Sequence, residues 1–252
     1  MSSIKILQLN AWSGRIKDGL SKFIADGNYD VVCLQEAVWS DNDIGFIDLF
    51  MDSVDKIKAA GGFDSETRVS MYGIQVLDGS TRIERGNAVL SKIPFKNIEE
   101  IQLVKDYHIA DSPENFHDAI SYHRWPAQKI TLENGLTILN YHGYWLKDPL
   151  GDETSVECMR RVAEMIENEP GPVVMCGDLN VTAEAPAMRE LDFLTDLTAI
   201  NNVKTTLRNI RFKKDVACDH ILVAPGLKYH DFEVINAPVS DHCALTVTID
   251  LD

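Results

Sequence analysis

The chain has little positive charge, no long apolar run and no closely spaced cysteine pair. It holds 24 lysines and arginines against 39 aspartates and glutamates, which gives a formal net charge of −15. Such an acidic body repels nucleic acids and anionic membranes at long range, although a local basic patch can still dominate nearby. The charge therefore argues against a protein that grips long DNA.

Targeting and redox signals are equally sparse. No apolar stretch approaches the roughly 18 residues that a membrane-spanning helix requires. The N-terminal segment MSSIKILQLN has no long apolar region of the kind found in signal peptides. The five cysteines are odd in number and form no C-x-x-C pair, so we expect buried, reduced thiols. These absences predict a cytoplasmic protein without a transmembrane segment.

Short apolar runs alternate with amphipathic ones, without repeats or a flexible linker. This organisation predicts one domain over residues 1–252, which we take to be a monomer by default. The predicted strands are 4–9, 31–35, 67–77, 86–91, 97–104, 119–131, 136–142, 173–176, 218–224, 230–236 and 244–250. The predicted helices are 16–25, 43–58 and 154–168. Strands and helices in this order, with added hairpins, indicate an α/β sandwich of two sheets flanked by helices.

Polar residues interrupt the apolar strands at six places, mostly at carboxyl ends, where functional groups collect in α/β folds. Each residue taken alone is also consistent with a turn, a helix cap or a structural role. Together, six such interruptions predict a catalytic site. They are Asn10, Glu36, His142, Asp178 with Asn180, Asp219, and Asp241 with His242.

Three of these residues suit a hard divalent cation. Hydrolysis of a phosphoester requires positive charge on the non-bridging oxygens, an activated water and stabilisation of the leaving oxygen. Glu36 is an oxygen ligand suited to Mg²⁺, and Asn10 and Asp241 offer further oxygen donors. Because Mg²⁺ keeps several of its waters, these few protein ligands suffice; Mn²⁺ is an alternative ion.

The remaining residues suit proton transfer and phosphate contact. If the strand continues briefly, Asp178 and Asn180 point to one face, where Asp178 orients or deprotonates water and Asn180 donates to phosphoryl oxygens. His142 would donate to a non-bridging oxygen. Asp219 would hydrogen-bond His242 and fix its tautomer, and His242 would contact the phosphate or assist proton transfer. These residues leave open whether Asp178 or His242 is the general base.

The order of these motifs resembles the endonuclease/exonuclease/phosphatase superfamily of metal-dependent phosphoesterases. The matching pieces are LQLNAW (7–12), VVCLQEA (31–37), GNAVLSKIPF (86–95), NYHGY (140–144), GDLNVT (177–182), DHILV (219–223) and SDHCAL (240–245). The resemblance spans residues 4 to 250, and GDLN with a C-terminal SDH is its most specific part. It implies a four-layer α/β sandwich, with two mixed β-sheets packed face to face and flanked by helices. It also implies the same site residues, position by position.

The sequence departs from the nuclease members of that superfamily in two ways. Many nucleases carry an acidic residue two positions after the one matching Asn10, whereas this chain has Trp12, as sphingomyelinase-like members do. A second metal would therefore find fewer ligands. Deoxyribonuclease-like members also pair the histidine matching His142 with a glutamate, for which Glu84 is a poorly aligned counterpart.

Substrate contacts are predicted from basic residues near the motifs. Five of the basic residues fall between positions 204 and 214, just before Asp219, and among them Arg208 and Arg211 are candidates to hold phosphate. A solvated loop is the alternative interpretation. Arg124 beside Trp125 is a further candidate, with a strand-edge arginine that packs on the tryptophan as its alternative.

The sequence thus predicts a Mg²⁺-dependent hydrolase of a phosphodiester or phosphomonoester. No basic stripe interleaved with aromatics is present, so a small or exposed phosphoester is the first choice: a nucleotide end, a phospholipid head group or an inositol phosphate. A nuclease that acts on DNA or RNA ends is the alternative enzyme. The alternatives of another class are an inactive module that binds a phosphorylated ligand and an interaction protein with an acidic surface.

Overall fold

Two mixed β-sheets pack face to face, with helices on their outer sides, as predicted. The computed structural model describes residues 2–40, 44–76, 80–104, 106–110, 124–208 and 215–251. Its strands are β1 (Ser2–Asn10), β2 (Val31–Trp39), β3 (Ser65–Val76), β4 (Thr81–Ser91), β5 (Phe95–Gln102), β6 (Ile109–Ala110), β7 (Pro126–Leu132), β8 (Thr137–His142), β9 (Val173–Asp178), β10 (Thr195–Asp196), β11 (Asp219–Val223), β12 (Lys228–Ile235) and β13 (Ala244–Leu251). The helices are α1 (Gly19–Gly27), α2 (Ile44–Asp48), α3 (Val54–Gly61), α4 (Glu153–Glu164) and α5 (Leu197–Ile200).

The strand order explains how distant motifs meet. The seven-stranded sheet runs β12-β13-β1-β2-β4-β3-β6, and the six-stranded sheet runs β10-β11-β9-β8-β7-β5. Strands β1 and β2 are parallel in the first sheet, as are β8 and β9 in the second. The carboxyl ends of β1, β8 and β9 and the later part of β2 carry four of the motifs. The antiparallel strands β11 and β13 begin at the same edge, with Asp219 at the start of β11 and His242 just before β13, so all six motifs meet at one edge of the sandwich.

The inner faces of the sheets change from apolar to polar along each strand. In β1, alternation sends Ile4 and Ile6 into the core between the sheets, while Leu7 packs against the helices on the outer side. The same alternation directs Gln8 and Asn10 into the space between the sheets, where both are buried. Both faces of β1 are thus buried over most of its length, and the site lies at the polar end of the inner face.

The predicted helix over 43–58 is wrong, because the segment forms two short helices. The helical stretch is interrupted just before α3, where Asp52 and Ser53 make other contacts. The backbone N–H of Asp52 donates to the carbonyl of Gly14, and its carboxylate accepts from the N–H groups of Asp18 and Ser21. The Ser53 hydroxyl caps α3 by accepting from the N–H of Lys56. Local capping and a buried anchor therefore override the helical spacing of apolar residues.

Other boundaries differ in smaller ways. Helix α1 begins at Gly19 rather than at residue 16, since Asp18 has a left-handed backbone with φ of 60°. Helix α4 ends at Glu164, short of residue 168. Strand β7 begins at Pro126, and residues 119–123 of the strand predicted over 119–131 lie outside the described residues. Across the part of the chain that the structure describes, no helix is both long and apolar enough to cross a membrane.

Candidate active site

Three site residues are direct neighbours across the six-stranded sheet. His142 at the end of β8 pairs in register with Asp178 at the end of β9, and Asp178 pairs with Asp219 at the start of β11. All three are buried, with exposures of 4%, 2% and 0%. Two carboxylates directly opposite each other repel, so this arrangement requires hydrogen-bond donors around both.

Those donors converge on one oxygen atom of Asp178. The amide nitrogen of Asn10 donates to Asp178 Oδ2 over 2.9 Å. The same oxygen lies 3.6 Å from His142 Nε2 and 3.8 Å from His242 Nε2. Asp178 therefore joins residues from both sheets, with one amide and two imidazoles facing its carboxylate. An edge-to-face contact with Trp125 further packs the His142 ring, with centroids 5.2 Å apart.

Asp219 and His242 form a buried hydrogen-bonded pair, as the sequence predicted. His242 Nδ1 lies 2.8 Å from Asp219 Oδ2, which directs Nε2 towards Asp178. Burial alone disfavours the charged ring, but the carboxylates of Asp219 and Asp178 outweigh it and raise the pKa of His242 to about 10. The two carboxylates therefore favour the charged form of His242.

The oxygen donors predicted to hold a metal occupy the seven-stranded sheet. Glu36 lies in a bulge of β2, where the pairing register shifts and its backbone has φ of 52°. Its carboxylate pairs with the guanidinium of Arg85. Asp241 is buried just before β13, and Asn10 ends β1 between these strands. This set of two carboxylates and one amide at adjacent strand ends suits Mg²⁺, which prefers hard oxygen ligands.

A second group of potential ligands overlaps the proton-transfer residues. The donor atoms of Asp178, Cys218, Asp219 and His242 lie within 4.8 Å of one another, so these residues could together hold a metal ion. Burial, together with the carboxylates of Asp178 and Asp219, raises the pKa of the Cys218 thiol well above its usual value. A protonated thiol and a histidine already bonded to Asp219 are poor ligands for Mg²⁺. Proton handling explains this group better than a magnesium site.

The predicted orientation of Asn180 is wrong. Strand β9 ends at Asp178, and Asn180 has a left-handed backbone with φ of 55°. Its N–H donates to Asp178 Oδ1 over 3.1 Å, and its side-chain amide donates to the carbonyl of Gly143 over 2.9 Å. The turn at Asn180 therefore replaces the continued strand on which the shared face depended. It still holds Asn180 beside Asp178.

The candidate substrate contacts differ in their surroundings. Arg208 donates through Nη1 to the carbonyl of Ser240 over 2.8 Å and through Nε to Asn236, and its backbone N–H donates to the carbonyl of Asp241. Arg124 donates to the carbonyl of Ser70 and lies over the Tyr107 ring rather than on a tryptophan. Arg208 thus borders the site, and Arg211 lies outside the described residues.

Sequence reasoning missed the residues that support the site. Thr206 and Gln8 both hydrogen-bond Asp219, and Arg85 pairs with Glu36. Glu84, considered as a partner of His142, accepts from the Tyr107 hydroxyl and pairs with Arg82. The one available signal was a polar residue inside an apolar strand. Of Gln8, Thr206 and Arg85, only Gln8 showed it.

Comparisons with known proteins agree with this geometry. The profile of the Endonuclease/Exonuclease/phosphatase family matches residues 7–242. The endonuclease/exonuclease/phosphatase of Beutenbergia cavernae DSM 12333 has a TM-score of 0.72 and 16% identity, over 100% of this chain and 72% of that one. The family protein of Leptotrichia buccalis C-1013-b has a TM-score of 0.66 and 20% identity, over 98% and 100%. The mannosyl-6-phosphatase of Bacteroides thetaiotaomicron VPI-5482 has a TM-score of 0.66 and 15% identity, over 98% and 100%. No curated protein matches the sequence significantly.

Proposed function

The chain belongs to the endonuclease/exonuclease/phosphatase family, and we propose that it hydrolyses a small phosphoester with the help of Mg²⁺. Members of this family are metal-dependent hydrolases that act on phosphoester bonds. The observation that carries the proposal is the convergence of Asn10, His142 and His242 on Asp178 Oδ2, backed by the buried Asp219–His242 pair.

Glu36, Asn10 and Asp241 are the residues that would hold the ion. Two carboxylates and an amide oxygen match the preference of Mg²⁺, and the pairing of Glu36 with the Arg85 guanidinium supports the choice of this carboxylate for a cation. A bound Mg²⁺ supplies positive charge for the phosphate oxygens and lowers the pKa of a nearby water.

The buried residues around Asp178 would handle the water and the phosphate. Asp178 orients the attacking water and accepts its proton, because its carboxylate is the point on which the site converges. His142 and His242 direct their Nε2 atoms to the same place and would donate to phosphoryl oxygens. Asn180, anchored on the Gly143 carbonyl, carries a second amide hydrogen for the phosphate. Asp219 keeps the His242 ring oriented.

A small or exposed phosphate group suits this protein better than a long polymer. The net charge of −15 repels nucleic acid at long range. A nucleotide end, a phospholipid head group, an inositol phosphate and a sugar phosphate share the chemistry that the site addresses. The structural similarity to a mannosyl-6-phosphatase adds the last of these classes to the substrates worth testing.

The direct test measures hydrolysis of a chromogenic phosphodiester and a chromogenic phosphomonoester with Mg²⁺, with Mn²⁺ and with EDTA. We expect turnover that requires the metal and is lost in Glu36→Ala. The matched control is Glu167→Ala, since Glu167 is exposed and follows α4 on the outer side. Metal-independent turnover, or full activity of Glu36→Ala, would contradict the proposal. Binding of phosphorylated ligands without any turnover would favour the inactive binding module instead.

A further inference from the structure

A layer of buried amides lies between the apolar core and the ionic residues of the site. Its members share full burial, an exposure of 0%, and a position on the inner face of a strand. They are Gln8, Gln35, Asn87, Gln128 and Asn140. Burying five amides is costly unless they are hydrogen-bonded, so the layer requires an explanation beyond packing.

Backbone carbonyls set the direction of a hydrogen-bond chain through this layer. The amide nitrogen of Asn140 faces the carbonyl oxygens of Leu34 and Ala88, over 3.1 and 3.2 Å. Because a carbonyl oxygen only accepts, the side-chain oxygen of Asn140 must face the other way. There it accepts from Gln35 Nε2 over 2.8 Å, and Gln35 Oε1 in turn accepts from Gln8 Nε2 over 2.9 Å.

This chain of hydrogen bonds ends at the carboxylate of Asp219. Gln8 Nε2 has a second hydrogen, which it donates to Asp219 Oδ1 over 3.0 Å. On the other side, the Thr206 hydroxyl accepts from the N–H groups of Cys218 and Asp219, so its single proton goes to Asp219 Oδ2 over 2.5 Å. Each oxygen of Asp219 thus accepts from a group that its other hydrogen bonds fix as a donor: Gln8 Nε2 at Oδ1 and the Thr206 hydroxyl at Oδ2. The carboxylate can only accept, and His242 Nδ1 must be the donor of their shared bond.

We infer that Gln8 is a positioning residue: through the amide chain anchored on Leu34 and Ala88, it holds Asp219 in the orientation that aims His242 Nε2 at Asp178. The orientation of Asp219 and His242 by Gln8 does not depend on the proposed function. The kinetic consequence rests on the proposed function, because only an active enzyme can reveal a misdirected His242.

The kinetic test compares two buried amides of the same layer. Gln8→Met keeps the shape but removes the donor to Asp219, and we expect kcat to fall roughly tenfold with KM little changed. Asn87→Leu is the matched control, since Asn87 is equally buried and its side-chain amide donates to the carbonyl of Pro126 instead of to Asp219. Equal losses in the two variants would overturn the inference and assign Gln8 a purely structural role.

A double-mutant cycle shows whether Gln8 acts through Asp219. Asp219→Asn should lower kcat on the order of a hundredfold. If Gln8 works only by holding Asp219, then adding Gln8→Met to Asp219→Asn should change kcat less than twofold, so that the effects are not additive. A full tenfold further loss in the double variant would contradict the inference.

A measurement that needs no activity separates this inference from the proposed function. The side-chain amide protons of Gln8, assigned by selective labelling, should exchange slowly with solvent in the wild type. In Asp219→Asn their NMR chemical shifts should change, and their exchange should be at least about tenfold faster. The amide protons of Asn87 serve as the control and should be unchanged. Unaltered Gln8 signals would overturn the inference even in an active enzyme. Altered signals in a protein without turnover would support it while the function failed.

Discussion

The site has two halves that are stabilised in different ways. One lies in the six-stranded sheet and is completed by His242, which precedes β13; the other lies in the seven-stranded sheet. In the six-stranded sheet, His142, Asp178 and Asp219 are cross-strand neighbours, fully or nearly fully buried. In the seven-stranded sheet, Glu36 lies in a bulge and is half-buried, with a guanidinium against its carboxylate. The first half is held by hydrogen bonds inside the protein, whereas Glu36 in the second is held by an ion pair with Arg85.

This difference follows from what each half must do. Groups that move protons work best when their orientation is fixed in advance, because reorganisation during the reaction is then avoided. A carboxylate that binds a metal must instead be reachable and must exchange its partner. The bulge at Glu36 turns the side chain out of the regular pleat, which meets that requirement. Under the proposed function, internal hydrogen bonds mark the acid–base half and an ion pair marks Glu36. Burial does not separate the two halves, because Asn10 and Asp241 are buried as well.

The largest effect is expected in the acid–base half. Asp178→Asn should lower kcat by two or more decades, on the order of a general acid–base contribution, because the convergent carboxylate is lost. Mg²⁺ affinity, measured by calorimetry, should change far less than in Glu36→Gln, which alters the other half. Near-wild-type turnover of Asp178→Asn would break the division of labour between the two halves.

A second prediction concerns the fully buried imidazole on the outer side of the six-stranded sheet. His220 Nδ1 lies 2.8 Å from Asp196 Oδ2, and Nε2 lies 3.1 Å from the carbonyl of Val181. Burial opposes the charged ring, but the bond to Asp196 outweighs it and raises the pKa of His220 above 6.5. Asp196→Asn should therefore lower the free energy of unfolding by about 2 kcal/mol at acidic pH.

The sign of the pH dependence follows from the raised pKa. The stabilisation by charged His220 is fully present below pH 6.5 and is lost as the pH rises through the folded-state pKa. Urea unfolding of wild type and Asp196→Asn should thus give a difference in free energy of unfolding that becomes smaller as the pH rises. Asp231→Asn is the control, because the His230–Asp231 pair is exposed and solvent screens it, so it should contribute little to stability. A difference in free energy of unfolding that does not depend on pH would contradict stabilisation by a charged His220.

A third prediction tests the exchangeable ion pair. Arg85→Met should tighten Mg²⁺ binding roughly fivefold, since the ion no longer has to displace a guanidinium pair worth about 1 kcal/mol. The midpoint of a Mg²⁺ titration measures this change. Arg68→Met is the control, because Arg68 lies on the same sheet but pairs with Asp55 of α3 and with Glu66. Weaker Mg²⁺ binding in Arg85→Met would show that Arg85 positions Glu36 for the metal instead.

The smallest effect is expected at Arg208. Arg208→Met should raise KM about threefold by removing a positive charge beside the site. Its hydrogen bond to the Ser240 carbonyl offers a different role, in which the side chain braces the segment that carries His242. Steady-state kinetics distinguish the two, because bracing lowers kcat and leaves KM unchanged. A pure effect on kcat would remove Arg208 from the substrate contacts.

The fold and most of the site were predictable because their signals are local. Apolar runs such as 31–35 and 173–176 predicted the buried strands β2 and β9, and polar residues at their ends marked the site. The helix over 43–58 was wrong because Asp52 is bound by Gly14 and Ser21, which lie more than 30 positions away. The turn at Asn180 was missed for a similar reason, since its partner is the carbonyl of Gly143.

By itself the sequence determined which chemical groups stand at the strand ends, since the alternation of a strand and its apolar length are encoded over a few residues. The tertiary structure alone decided which of these groups meet. Gln8 and Asp219 lie 211 positions apart, and Asn10 and Asp178 lie 168 apart. Each pair joins the two sheets, so its contact exists only once the shared core between them has formed. The orientation of Asn140, and through it that of Gln35 and Gln8, is then set by the backbone carbonyls of Leu34 and Ala88, which no sequence pattern identifies.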